Sequence, residues 1–275
     1  VLKIDSHNHF WQYHPVKDAW ITDDMKIIKC DFMPNDMQPL LAENAIDGCV
    51  AVQASQSEAE TNFLLTLAEN NSFIKGIVGW VDLSNSNCAQ RLEHFTQYKK
   101  IKGFRHIVQA EPDGFMLNEK FCNGINALQN FGFTYDILIR QHQLKEAIDF
   151  VKKFPEQHFV IDHIGKPDIK NASIADWAKN ITEIARQPNV YCKVSGMVTE
   201  ADWYYWKPDD LKDYLDTVVN AFGMQRLMFG SDWPVCLLAT TYTQWCRILQ
   251  GYFQQFSVEE QSMFWGGNTT KFYNL

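Results

Sequence analysis

Eight short runs rich in β-branched and aromatic residues alternate along the chain with longer stretches whose apolar residues recur at helical spacing. Read as strands, the runs are Leu2–Phe10, Gly48–Gln53, Ile74–Asp82, Ile101–Val108, Phe133–Ile139, His158–Ile164, Val190–Val194 and Arg226–Gly230. The helical patterns include Glu58–Asn70, Glu119–Asn130, Leu144–Lys153, Ile174–Arg186, Asp209–Ala221 and Tyr242–Phe256. Such alternation favours parallel β/α units over a sandwich or a bundle. Gly132 and Gly223 stand where a helix hands over to a strand, as a left-handed C-cap requires. Eight units in 275 residues match one α/β domain built as a (β/α)8 TIM barrel, because a doubly wound sheet normally uses about five to seven strands. The stretch Trp11–Pro39 is long for a β/α connection and is expected to be a loop over the barrel mouth. No repeat, charge block or linker divides residues 1–275.

Composition narrows the partners. With 46% hydrophobic and 21% charged residues the chain can bury a large core. Its 25 basic residues face 33 acidic ones, and a net charge of -8 argues against nucleic acid or an anionic membrane and for a small-molecule substrate. Seven cysteines, an odd number without C-x-x-C spacing, indicate neither a disulfide framework nor a thiolate zinc site. The start of the chain lacks a basic, apolar leader and no run of about 18 apolar residues occurs, so a cytoplasmic location is expected. Oligomeric state has no signature in the sequence.

Catalytic groups of a barrel come from the carboxyl ends of its strands. The first run ends in His7-Asn8-His9, and period-two geometry sends both imidazoles to one face. A surface histidine pair is the plainer reading of H-x-H alone; its place at a strand end favours chemistry. The sixth run breaks into Asp162-His163-Ile164-Gly165-Lys166, bringing a third imidazole to the same rim, with a core histidine bonded to Asp162 as the alternative. Asp232 follows the eighth run, where it acts either as a turn cap or as a base. Convergence of four such groups is harder to ascribe to packing. No G-x-S-x-G elbow, phosphate loop or dinucleotide fingerprint is present.

These motifs, with Gly103-Phe104-Arg105-His106, Tyr135-Asp136, Cys192-Lys193-Val194-Ser195-Gly196 and Phe229-Gly230-Ser231-Asp232-Trp233-Pro234, resemble the lactonase-like branch of the amidohydrolase superfamily along essentially the whole chain. That branch holds sugar lactonases and 2-pyrone-4,6-dicarboxylate lactonase. The resemblance implies a distorted barrel and ring opening of a lactone, for example a fucono- or rhamnonolactone. It places His7, His9, His163 and Asp232 at the reaction centre, with Asp232 as general base on water and the histidines polarising the carbonyl. The strand-four and strand-five ends carry Arg105-His106 and Tyr135-Asp136 where two-metal members resemble one another in a bridging lysine or glutamate and a histidine. The same four residues therefore hold one divalent ion such as zinc, or none. Arg105, His106, Asp136, Lys166 and Trp233 are expected to contact substrate, with Trp11, Trp80, Trp203 and Trp206 as further aromatic candidates at the mouth. Arg105 and His106 alternate in direction, so both need not enter the pocket. A metal-dependent decarboxylase of aromatic acids and a non-catalytic sugar-acid binding barrel are the alternatives.

Overall fold

In the computed structural model, which describes residues 1–275, eight parallel strands form one sheet in sequence order. They are β1 Ile4–Asn8, β2 Gly48–Val52, β3 Ile74–Gly79, β4 Ile101–His106, β5 Thr134–Ile137, β6 Phe159–Ile161, β7 Val190–Val194 and β8 Leu227–Phe229. A helix follows each: α1 Pro34–Glu43, α2 Glu58–Asn70, α3 Cys88–Phe95, α4 Glu119–Asn130, α5 Leu144–Lys153, α6 Ala175–Ile184, α7 Lys212–Phe222 and α8 Tyr242–Phe253. Two short helices, α9 Val258–Ser262 and α10 Asn268–Tyr273, complete the chain. The expected (β/α)8 barrel is what forms. No helix is long and apolar enough to cross a membrane.

Local chemistry starts the helices. Ser57, Asn118 and Thr241 accept hydrogen bonds from Glu60, Lys120 and Gln244 backbone N–H groups, capping α2, α4 and α8. The spacing of Leu144, Ala147, Ile148 and Val151 buries one face of α5 against the sheet. Between strands and helices lies the main core, in which Phe150 packs on Phe121, Phe154 and Phe159; burying one such ring contributes about 1.5–3 kcal/mol. A smaller apolar cluster of Ile4, Val50, Val52, Val78, Val160 and Met228 fills the barrel interior, where Phe272 and Tyr273 of α10 join it.

Two expectations change. The connection after β1 is a loop only as far as Met33. Pro34 takes the first helical position, where its missing N–H is harmless, and Asp36 accepts from the Met33 N–H at 2.8 Å, so α1 begins inside the expected loop. The sixth strand stops at Ile161 and does not reach Ile164, because residues 163–166 all have positive φ.

The seam between β1 and β8 closes by a few specific bonds. Asp232 N–H donates to the His7 carbonyl at 2.8 Å, and His9 N–H to the Trp233 carbonyl at 2.7 Å. Below them one oxygen of the buried Asp5 carboxylate accepts from the N–H groups of Ser231 at 2.9 Å and His7 at 3.1 Å. Gly230 lets the strands approach, since a Cβ there would lie 3.0 Å from the Cβ atoms of His7 and Ser195.

Burial pushes the Asp5 carboxyl up to about 6, against the bonds from Ser231 and His7. The folded state thus keeps a proton that the unfolded chain releases near pH 4, and this contribution to stability is lost as pH rises from about 4 through 6. The loss amounts to roughly 3 kcal/mol at most. Asp5→Asn keeps an acceptor for both N–H groups and cannot ionise. Urea unfolding at pH 5 and pH 8 should show the variant gaining on wild type at the higher pH; parallel stability curves would refute the assignment.

Candidate active site

The ends of β1, β6 and β8 bring His7, His9, His163 and Asp232 together, all nearly inaccessible to solvent. Asp232 Oδ1 lies 3.3 Å from His9 Nε2, 3.8 Å from His7 Nε2 and 3.9 Å from His163 Nε2. His9 Nδ1 is 2.8 Å from the Val52 carbonyl, which can only accept, so Nδ1 carries a proton and Nε2 faces the centre. His163 Nδ1 meets Ser195 Oγ at 3.0 Å. Gly196 makes room for that ring: a Cβ there would fall 2.4 Å from Nδ1, at a φ of +60°.

His163 stands in a left-handed turn formed by His163, Ile164, Gly165 and Lys166, with φ of 55°, 49°, 76° and 48°. Three of these are not glycine, and each costs about 1 kcal/mol or more in that region. The turn is held by Trp177 Nε1, which donates to the Ile164 carbonyl at 2.8 Å, and by the Lys166 N–H, which donates to the His163 carbonyl at 2.9 Å. Asp232 also has positive φ, at 57°. Strain thus gathers at two of the four central residues.

Beneath the cluster lies a buried layer of charge. Asp162 accepts from Arg105 Nη1 at 2.9 Å, lies 3.0 Å from Lys193 Nζ and 3.2 Å from His7 Nδ1. Lys193 also pairs with Asp136, which accepts from the Tyr273 hydroxyl at 2.7 Å. Burial works against ionisation of Asp162, yet Lys193, His7 and Arg105 hold its carboxyl well below the usual carboxylate range. For Asp136 burial wins and pushes the carboxyl up to about 6. Burial likewise lowers His7 and His163, so both imidazoles are neutral at pH 7. Burial opposes ionisation of Asp232, but His163, His9 and Lys166 together hold it below the usual range. The central carboxylate is therefore charged and faces the neutral rings of His7 and His163.

The cluster opens into a cavity of about 340 Å³ bordered by Trp11, Trp20, Arg105, Gln109, His163, Lys166 and Asp232, among others. Of the five residues expected on substrate, Arg105 and Lys166 reach this cavity. His106 does not: it alternates outward from Arg105, stacks on Phe115 and bonds Glu111 at 2.8 Å. Asp136 lies in the charged layer below, and Trp233 packs edge-on to Phe10 and Phe32 with its ring outside the cavity lining. Of the tryptophans considered, Trp11 borders the cavity. Sequence reasoning passed over Trp20, Gln56 and Gln109, although each follows a strand end. The Gln56 oxygen accepts from Ile107 N–H, turning its amide nitrogen free, while the Gln109 oxygen is buried without a partner. Asp162 turns to His7 rather than to His163.

His7, His9 and Asp232 offer ligand atoms within 4.8 Å of one another. His9 Nε2 and His7 Nε2, 3.2 Å apart beside an ionised carboxylate, form a set of electron-pair donors that suits a divalent cation. A second grouping, His7, Asp162 and His163, does not suit one. Its carboxylate is already engaged by an ammonium and a guanidinium, and Lys193 Nζ stands 3.2 Å from Nδ1, the edge of His7 that faces Asp162.

Known proteins share this arrangement of chain. Over its full length the sequence is 38% identical to an L-fucono-1,5-lactonase of Burkholderia multivorans and 32% identical to one of Burkholderia ambifaria, in each case covering 96% of the relative. The structure superposes on a crystal structure of a Burkholderia multivorans amidohydrolase with bound zinc at a TM-score of 0.97, with 38% identity and all of both chains covered. The amidohydrolase family model matches residues 4–275. With that match spanning the strand ends that carry every central residue, the chain belongs to the amidohydrolase family.

Proposed function

We propose that the protein opens the ring of a sugar lactone, an aldonolactone of the fucono type, by adding water activated by Asp232. The observation that carries this is the buried Asp232 carboxylate at the meeting point of three imidazoles, on a cavity that also presents Arg105 and Lys166. The relatives named for fucono-1,5-lactone hydrolysis supply the substrate class.

Ester hydrolysis needs a base for water, a positive group near the developing oxyanion and an acid for the departing alkoxide. Asp232 takes the proton of water and returns it to the ring oxygen. Arg105 borders the cavity while its other contacts, to Asp162 and the Gln53 carbonyl, fix its plane, so it is oriented to draw charge onto the carbonyl oxygen. His7 and His163, being neutral, leave the base ionised without neutralising it. Trp11 and Trp20 offer flat apolar faces to the sugar ring. One zinc ion is the cofactor we assign, held by His7, His9, His163 and Asp232. Bound there, it supplies Lewis acidity and makes water more acidic.

Asp232→Asn, nearly isosteric, should lower turnover by about a thousandfold with the fold intact, read with a pH indicator across a panel of aldonolactones. Turnover close to wild type would remove Asp232 from the mechanism. Because the base must be ionised and its carboxyl sits below the usual range, the acid limb of kcat/KM should lie below about pH 4. A limb near pH 6 to 7 would instead give the essential proton to an imidazole or to water made acidic by zinc, and would overturn the assignment. Equilibrium dialysis should find about one zinc per chain, lost in His9→Ala; a wild-type protein that retains no zinc would exclude the metal site.

A further inference from the structure

Lactone hydrolysis changes the charge of the ligand. Water oxygen bonds to the carbonyl carbon, the ring oxygen departs with one proton, and the new carboxyl group gives its proton to solvent. A neutral ring thus becomes an anion beside the Asp232 carboxylate, in a cavity too buried to screen the repulsion. A cationic side chain at the cavity edge would draw the product anion away from that carboxylate.

Two cationic side chains border the cavity, Arg105 and Lys166. Arg105 already has its place: Nη1 faces Asp162 and His7, Nη2 the Gln53 carbonyl, and its charge is assigned above to the carbonyl oxygen of the lactone. Lys166 has no such role. Its ammonium has one acidic partner, Glu200, at 3.4 Å, and both side chains keep some exposure, 17% and 19%. At 3.4 Å the pair is longer than a charge-assisted hydrogen bond, so it is open to exchange. Its backbone is fixed by the left-handed turn that also carries His163, so the root of the side chain is set relative to the reacting groups while the ammonium can swing between partners. Its positive field reaches both Asp232 and His163.

We infer that Lys166 is the product-carboxylate receptor of this site: its ammonium exchanges Glu200 for the carboxylate of the newly formed aldonate, and Glu200 competes for it and so speeds release. This rests on the lactonase reading and assigns Lys166 a specificity for the charged product over a neutral sugar.

Calorimetry with two probes tests it, using the aldonate made by alkaline opening of the best lactone and the uncharged alditol of the same sugar. Lys166→Met should weaken aldonate binding about tenfold or more while changing alditol binding less than about twofold, and Lys166→Arg should restore most of the difference. Glu200→Gln should tighten aldonate binding several-fold. Should Lys166→Met lose the fold, Glu200→Gln tests the same exchange from outside the turn. Equal weakening of both probes, or aldonate binding unmoved by either substitution, overturns the proposal. Failure of wild type to open any lactone overturns the underlying reading instead, and the two failures are seen in separate measurements.

Discussion

The geometry of the site depends on how His7 is held. One of its ring nitrogens lies between Lys193 Nζ and an oxygen of Asp162, and the other lies between Arg105 and the central cluster. His7 is therefore set by four strands at once, since Arg105, Asp162 and Lys193 come from or directly follow β4, β6 and β7. Apolar packing alone would leave an imidazole free to turn about its χ2 angle; charged partners on opposite edges do not. Removing one member of such a buried set leaves the others unpaired, typically at about 3–5 kcal/mol. The layer costs stability as well as giving it, and its use is specification of position.

That layer also explains the charge of the barrel. Arg105 and Lys193 balance Asp136 and Asp162, so the floor beneath the cluster carries no net charge although the chain as a whole stands at -8. Excess acidity therefore belongs to the outside. The same ammonium and guanidinium engage the Asp162 carboxylate, and the ammonium also faces the Nδ1 edge of His7. That layer offers no place to a cation, because two further positive charges among Arg105 and Lys193 would find no free anionic partner.

Much of this was legible in the sequence. Strand order, the eight β/α units and the strand-end positions of His7, His9, His163 and Asp232 follow from alternating periodicity, because each depends on residues near one another in the chain. The α1 helix was hidden by Pro34 and Pro39, which read as loop residues although the first of them opens a helix and the second is tolerated within it. The left-handed turn at residues 163–166 was illegible for another reason. Isoleucine and lysine have no propensity for positive φ, and the conformation is imposed by Trp177 and the neighbouring strands. Asp136 looked like a substrate ligand because strand-end polarity does not report depth. Its depth is fixed by Tyr273, which is 137 residues away and arrives with the last helix. Long-range polar partnerships of this kind leave no periodic trace.

The histidine and aspartate cluster straddles the seam where the barrel has least regular ladder. His7 and His9 stand on one side of it and Asp232 on the other, joined by two backbone bonds and by the Asp5 carboxylate that clips Ser231 to His7. A regular parallel ladder would fix the strand axes but would keep the residue after β8 extended, pointing its side chain by alternation alone. Leaving the ladder at Gly230 lets Asp232 adopt positive φ and turn its carboxylate toward the imidazoles. The precision lost with the ladder is restored by the clip, which acts on backbone N–H groups one residue before Asp232 and at His7 itself. Separate devices therefore govern fold and site. Apolar layers inside and outside the sheet determine whether the barrel forms, while a few buried carboxylates determine where its working groups point.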